Sequence, residues 1–63
     1  MESKTARDFY TEGQRFRKKG ELGNARNCFK KALELQPDYA EAKVALEMVD
    51  SILSFGYTDM YNV

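Results

Sequence analysis

The chain has 63 residues, with ten Lys and Arg against ten Asp and Glu and no His, so its formal charge is zero. A neutral composition lacks the excess of cations with which proteins bind nucleic acids or anionic membrane surfaces. The apolar runs are only a few residues long, far below the ~20 residues that cross a bilayer. A core this small supplies roughly 3–5 kcal/mol, so we expect help from self-association, a partner or further repeats.

The single cysteine, Cys28, cannot form an internal disulfide, whereas small secreted domains usually contain several. Residues 1–5 show no apolar stretch of the kind that a secretory signal requires. We therefore expect a cytoplasmic protein, with a mature exported chain as the alternative.

The first predicted element is a helix over about residues 6–18. Thr5 and Asp8 have the spacing of a capping box, and Gly20 ends the helix behind a run of cations. The helical period is carried by Ala6, Phe9, Gly13 and Phe16.

Two more helices are predicted, over about residues 22–35 and 39–54. Pro37 ends the second because it removes a donor and holds the preceding residue extended. Asp38 and Glu41 form a second capping signal, and Gly56 is predicted to end the third helix. The residues expected to be buried are Leu22, Ala25, Phe29, Ala32 and Leu33 on the second helix and Ala42, Ala45, Leu46, Val49, Ile52 and Leu53 on the third.

The connections near Gly20 and Pro37 are short, so sequential helices should pack as antiparallel neighbours. No strand pattern occurs, and the fold class is therefore all-α. The last residues, 57–63, show no helical period and are predicted to form a tail.

The residues at the helix crossings resemble the tetratricopeptide repeat, a unit of about 34 residues. Glu12 departs from the pattern, since the family prefers Leu there. The resemblance implies an antiparallel repeat hairpin at residues 6–39, within one domain at 1–63. The matching positions are Phe9, Gly13, Phe16, Gly20, Ala25, Phe29, Ala32 and Pro37.

The third helix is predicted to cap this hairpin over residues 40–56. If it opened another repeat, Lys43, Glu47 and Asp50 would replace an aromatic, a glycine and a second aromatic. Charged residues at these positions predict a solvated face, which is typical of the end of a repeat array.

Catalytic chemistry is not expected. The chain has no His to activate a nucleophile, and its one cysteine cannot build a zinc site. It also lacks a Gly-rich phosphate loop, so no metal, cofactor or enzymatic activity is predicted. We expect Cys28 to be a partly buried, inert thiol.

The resemblance implies a concave groove that binds a peptide or helix. The corresponding positions are Arg7, Tyr10, Gln14 and Arg17 on the first helix and Glu41, Val44, Met48 and Ser51 on the third, with Ile52 adjacent. Of these, Tyr10, Val44 and Met48 are not required by the signature core. An alternative is that Val44 and Met48 complete a small core.

Two further features remain open. The basic cluster of Arg15, Arg17, Lys18 and Lys19 is either a solvated helix end or a contact for an acidic peptide or a phosphate. The tail, with Tyr57, Met60 and Tyr61, is expected to lie along the groove or on a second copy.

The predicted function is protein–protein interaction through the concave face, with another protein or a peptide as the partner and neither nucleic acid nor membrane. The alternative is a homo-oligomeric scaffold, starting from a homodimer, that assembles through the apolar stripe and the tail.

Overall fold

A computed structural model describes residues 4–61 of the chain, with side chains over 4–54. The chain forms helix α1 (Ala6–Lys19), helix α2 (Leu22–Leu35) and helix α3 (Ala40–Tyr61). Helix α2 packs against both α1 and α3. The all-α prediction of a repeat hairpin with an additional helix is therefore confirmed.

Both ends of α1 have the predicted local chemistry. The Thr5 hydroxyl accepts from the Asp8 backbone N–H at 3.2 Å, and the Asp8 carboxylate accepts from the Thr5 N–H at 3.0 Å. At the other end Gly20 has a left-handed backbone with φ of 87°. The N–H groups of Gly20 and Glu21 donate to the carbonyls of Arg17 and Phe16, which is the Schellman arrangement.

Helix α2 ends before Pro37, as predicted. Gln36 lies outside the helical region, with φ of −143° and ψ of 88°, and proline disfavours the helical conformation at the preceding residue. The Gln36 N–H still donates to the Ala32 carbonyl at 2.9 Å. The turn then leads directly into α3.

Helix α3 starts at Ala40, close to the predicted start at about residue 39. It continues through Gly56 to Tyr61, however, so the predicted stop is wrong. Glycine ends a helix when its backbone turns left-handed; within a helix it costs only about 1 kcal/mol relative to alanine. Of the predicted tail, residues 57–61 are helical, residues 62–63 lie outside the described range, and the side chains of 57–63 are not described.

The core consists of two groups of buried side chains that share α2. One group surrounds Phe29 and contains Ala25, Ala45 and Val49. The other consists of small residues from the three helices: Ala6, Ala32 and Ala42. Small residues therefore stand where the helices approach most closely.

Gly13 shows how tight the α1–α2 crossing is. A Cβ atom added at Gly13 would lie 2.5 Å from Cε1 of the Phe29 ring, and Phe29 is fully buried. The crossing therefore requires glycine at this position.

The prediction that Ile52 and Leu53 are buried is wrong. Their side chains are 46% and 38% exposed, and Val49 is the last buried residue identified on α3. Arg26, four residues after the start of α2, pairs with Asp50. Because α3 is antiparallel to α2, only about the first 6 Å of α2 lies beside the part of α3 that follows Asp50. Helix α3 therefore extends past the surface that could cover it.

Candidate peptide-binding groove

A groove of about 290 Å³ lies between α1 and α3. Six of the predicted binding residues line it together: Tyr10, Gln14, Arg17, Glu41, Val44 and Met48. Ala40 and Ala45 also line it, although neither was predicted as a groove residue. Ala45 is buried and Ala40 is exposed. Each stands four residues from a predicted groove residue, Ala40 from Val44 and Ala45 from Glu41, and helical spacing makes such residues neighbours.

The other two predicted residues lie beside this groove. Arg7 lines an adjacent hollow with Tyr10, Thr11, Tyr39 and Glu41, at the start of α1. Ser51 lies further along α3, in a hollow with Met48 and Ile52.

The wall formed by α3 is apolar and open to solvent. Val44 is 55% exposed and Met48 is 49% exposed. The alternative in which these two residues complete the core is therefore wrong. An exposed Val and Met, one helical turn apart, provide an adaptable apolar contact surface.

Tyr10 belongs to both the core and the groove. Its ring lies 5.8 Å from the Phe29 ring and 5.4 Å from the Tyr39 ring, centroid to centroid. It also packs against both groups of buried residues, so the expectation that the core does not need Tyr10 is wrong. The aromatic contacts hold the ring in place, which fixes the position of its hydroxyl at the groove.

The α1 wall carries a chain of hydrogen bonds. Gln14 Nε2 donates to the Tyr10 hydroxyl at 2.7 Å, and Arg17 Nε donates to Gln14 Oε1 at 3.2 Å. Residues three or four apart on a helix are neighbours, so the backbone brings these side chains together. The polar wall is thus ordered before any ligand arrives.

The outer face of α3 is only partly solvated. Lys43 and Glu47 are exposed, as predicted. Asp50 is half-buried and forms an ion pair with Arg26 at 2.5 Å. Asp50 therefore links α3 to α2. This contact could not be predicted from the sequence, which shows only that the position is charged.

Cys28 is half-buried on α2. Burial raises the pKa of its thiol, and the nearby Glu12 carboxylate raises the pKa further. A raised pKa favours the thiol over the nucleophilic thiolate at neutral pH. Over the part of the chain that the structure describes, no group of three His, Cys, Asp or Glu residues is placed to hold a metal ion.

These features together define a helical-repeat module with an open groove on one face. A family model described as TPR repeat matches residues 13–46, from Gly13 on α1 through α2 to Leu46 on α3. The match covers more than half of the 63 residues, and the chain belongs to the tetratricopeptide repeat family.

Neither the curated proteins nor the solved structures include a match to this chain. Tetratricopeptide modules generally mediate protein–protein interactions and are typically non-catalytic, and no enzyme family is found. Among the described helices, none combines the length and the apolar character needed to span a membrane.

Proposed function

We propose that the chain binds a peptide or a helix of a partner protein in the groove between α1 and α3. In this proposal residues 6–39 form the repeat, α3 caps it, and the side chains of Tyr10, Gln14, Arg17, Val44 and Met48 make the contacts. Arg7 and Ser51 extend the contact surface at either side. The proposal involves no catalytic step and no cofactor, and the half-buried thiol of Cys28 suits a reducing cytoplasm.

The observation that carries this proposal is the contrast between two valines of α3. Val49 is fully buried, whereas Val44, on the same helix, is 55% exposed and lines the groove with Met48. Apolar side chains that the fold leaves open, beside an ordered polar wall, are typical of a peptide-binding surface.

Selection from a phage-displayed library of random 12-residue peptides on the immobilised chain tests this proposal. Enriched peptides are synthesised with a fluorescent label, and their affinity is measured for the wild type, Met48→Glu and Leu35→Glu. Leu35 is the matched control, because it is 55% exposed, close to the 49% of Met48, but lies at the end of α2 and outside the groove.

We expect Met48→Glu to weaken binding at least tenfold and Leu35→Glu to leave it unchanged. Equal losses in the two variants, or a selection without enriched peptides, would overturn the proposal. Circular dichroism establishes that both variants retain the helical content of the wild type.

A second candidate function is a homo-oligomeric scaffold, which one observation favours. Val44, Met48 and Ile52 recur every four residues along α3 and are all exposed, so they form an apolar row longer than the groove. Sedimentation equilibrium of the wild type and Ile52→Lys over a wide concentration range tests this candidate. A dimer that Ile52→Lys dissociates would support it, and a monomer at every concentration would remove it.

A further inference from the structure

We propose that the groove selects a partner segment with an apolar side chain and a nearby carboxylate. The apolar side chain packs on Val44 and Met48, and the carboxylate pairs with the guanidinium of Arg17. This inference rests on the proposed peptide-binding function and specifies the chemistry of its ligand.

Arg17 has no acidic partner among the side chains that the structure describes. It lines the groove, and its Nε donates to Gln14. Within residues 4–54, no carboxylate forms an ion pair with Arg17. The terminal nitrogens of its guanidinium thus keep their capacity for a carboxylate, a group that arginine binds through two parallel hydrogen bonds.

The acids of α1 are engaged elsewhere. Asp8 accepts the Thr5 N–H in the capping box, and Glu12 pairs with Lys4. Helix α1 contains only these two acids, against the five cations Arg7, Arg15, Arg17, Lys18 and Lys19. The α1 wall of the groove is therefore positively charged where Arg17 stands.

Glu41, the acid that lines the groove from α3, lies near the opposite end. It shares a hollow with Arg7 and Tyr39 beside the start of α1. Helices α1 and α3 run in the same direction, because each packs antiparallel to α2. Arg17 is seven residues beyond Tyr10, about 10 Å along α1, which carries it away from Glu41 and toward the Met48 end of the groove.

The two walls thus differ in chemistry at one level of the groove. Apolar side chains lie on α3, and on α1 lies a guanidinium that pairs with no described carboxylate. One ligand segment can therefore contact the apolar side chains and pair with the guanidinium. Because Gln14 already holds Arg17, less side-chain entropy is lost when a carboxylate binds.

A positional peptide panel tests the inference. Each labelled nine-residue Ser/Gly peptide carries two adjacent Leu residues near its centre. At each of the remaining positions in turn, one residue is replaced by Asp, Asn or Lys. Affinities are measured by fluorescence anisotropy for the wild type, Arg17→Gln, Arg17→Lys and Arg15→Gln. Arg15→Gln removes the same charge from the same helix, at an exposed residue that does not line the groove between α1 and α3.

We expect the best Asp peptide to bind the wild type about tenfold more tightly than its Asn counterpart. Arg17→Gln should abolish this preference, Arg17→Lys should retain part of it, and Arg15→Gln should retain all of it. The preference should also weaken as salt is raised.

Equal affinity for Asp and Asn peptides, or equal effects of Arg15→Gln and Arg17→Gln, would overturn the inference. If Asn peptides then still bind in a way that Met48→Glu abolishes, the peptide-binding function stands and only the role of Arg17 falls. If no peptide of the panel binds the wild type, the inference is wrong. The selection of 12-residue peptides then tests the peptide-binding function independently.

Discussion

The crossing of α1 and α2 and the groove face of α3 use apolar residues in opposite ways. At the crossing, Phe29 is fully buried and leaves no room for a Cβ atom at Gly13. On α3, Val44, Met48 and Ile52 are about half exposed although they are equally apolar. The first region is closed by complementary shapes, and the second is left open.

This difference shows that the angular position of an apolar residue on the helix determines its role. Residues that face α2 build the core, and residues about 100° away face the groove and add little to stability. Each substitution below compares a position in one region with a matched position elsewhere, in order of decreasing expected effect.

The two valines of α3 give the largest contrast. Val49→Ala removes two buried methyl groups and leaves a cavity, so we expect a loss of about 2–3 kcal/mol in the free energy of unfolding. Val44→Ala should change it by less than about 0.5 kcal/mol, because that side chain is already exposed. Urea denaturation measures both; equal losses would contradict the division of α3 into two faces.

Two helical glycines test the closed crossing. Gly13→Ala places a methyl group against the Phe29 ring, and we expect a loss of about 1–3 kcal/mol despite the better helix propensity of alanine. Gly23→Ala meets no atom within 4 Å and should stabilise the chain by up to about 1 kcal/mol. Thermal denaturation of both variants gives the comparison, and stabilisation by Gly13→Ala would show that the crossing is looser than described.

Gly20 tests the turn that closes the hairpin. Its positive φ is unfavourable for alanine, so Gly20→Ala should cost about 1 kcal/mol although no neighbouring atom lies within 4 Å. Gly20→Asn should cost less, since asparagine tolerates the left-handed region. Denaturant unfolding measures the stability of both variants. A Gly20→Asn variant less stable than Gly20→Ala would show that the loss does not come from the backbone conformation.

The Arg26–Asp50 pair gives the smallest expected effect, because both side chains are about half exposed. Arg26→Gln should cost about 0.2–1 kcal/mol at low ionic strength and less at high salt. A double-mutant cycle with Asp50→Asn isolates the pair energy. A coupling that does not fall with salt would show that the pair is better shielded than its exposure indicates.

Much of the fold could be predicted because its determinants are local. The capping box at Thr5, the left-handed Gly20 and the non-helical residue before Pro37 each depend on neighbouring residues. The helical period likewise places Ala25, Phe29 and Ala32 on one buried face. These patterns, with short connections, are sufficient to predict three antiparallel helices.

The errors arose where the outcome depends on what a neighbouring helix covers. Ile52 and Leu53 continue the apolar period of α3, but they lie level with the first residues of α2 and remain exposed. The signature core was not expected to need Tyr10, yet its ring packs against Phe29 and Tyr39. Gly56 was predicted to end α3, but the helix continues through it. The groove positions came from the family resemblance, and the hydrogen-bond chain that orders them became visible only in three dimensions.

The groove also has a consequence for energetics, because its two walls are separated in sequence by the whole of α2. Neither wall exists as part of a groove until α3 has docked on the hairpin. Any molecule that spans both walls therefore binds the folded chain and not a chain in which α3 is undocked. By mass action, such binding increases the free energy of unfolding. At a concentration of one hundred times its Kd, such a molecule adds about 2.7 kcal/mol, comparable to the roughly 3–5 kcal/mol expected of so small a core.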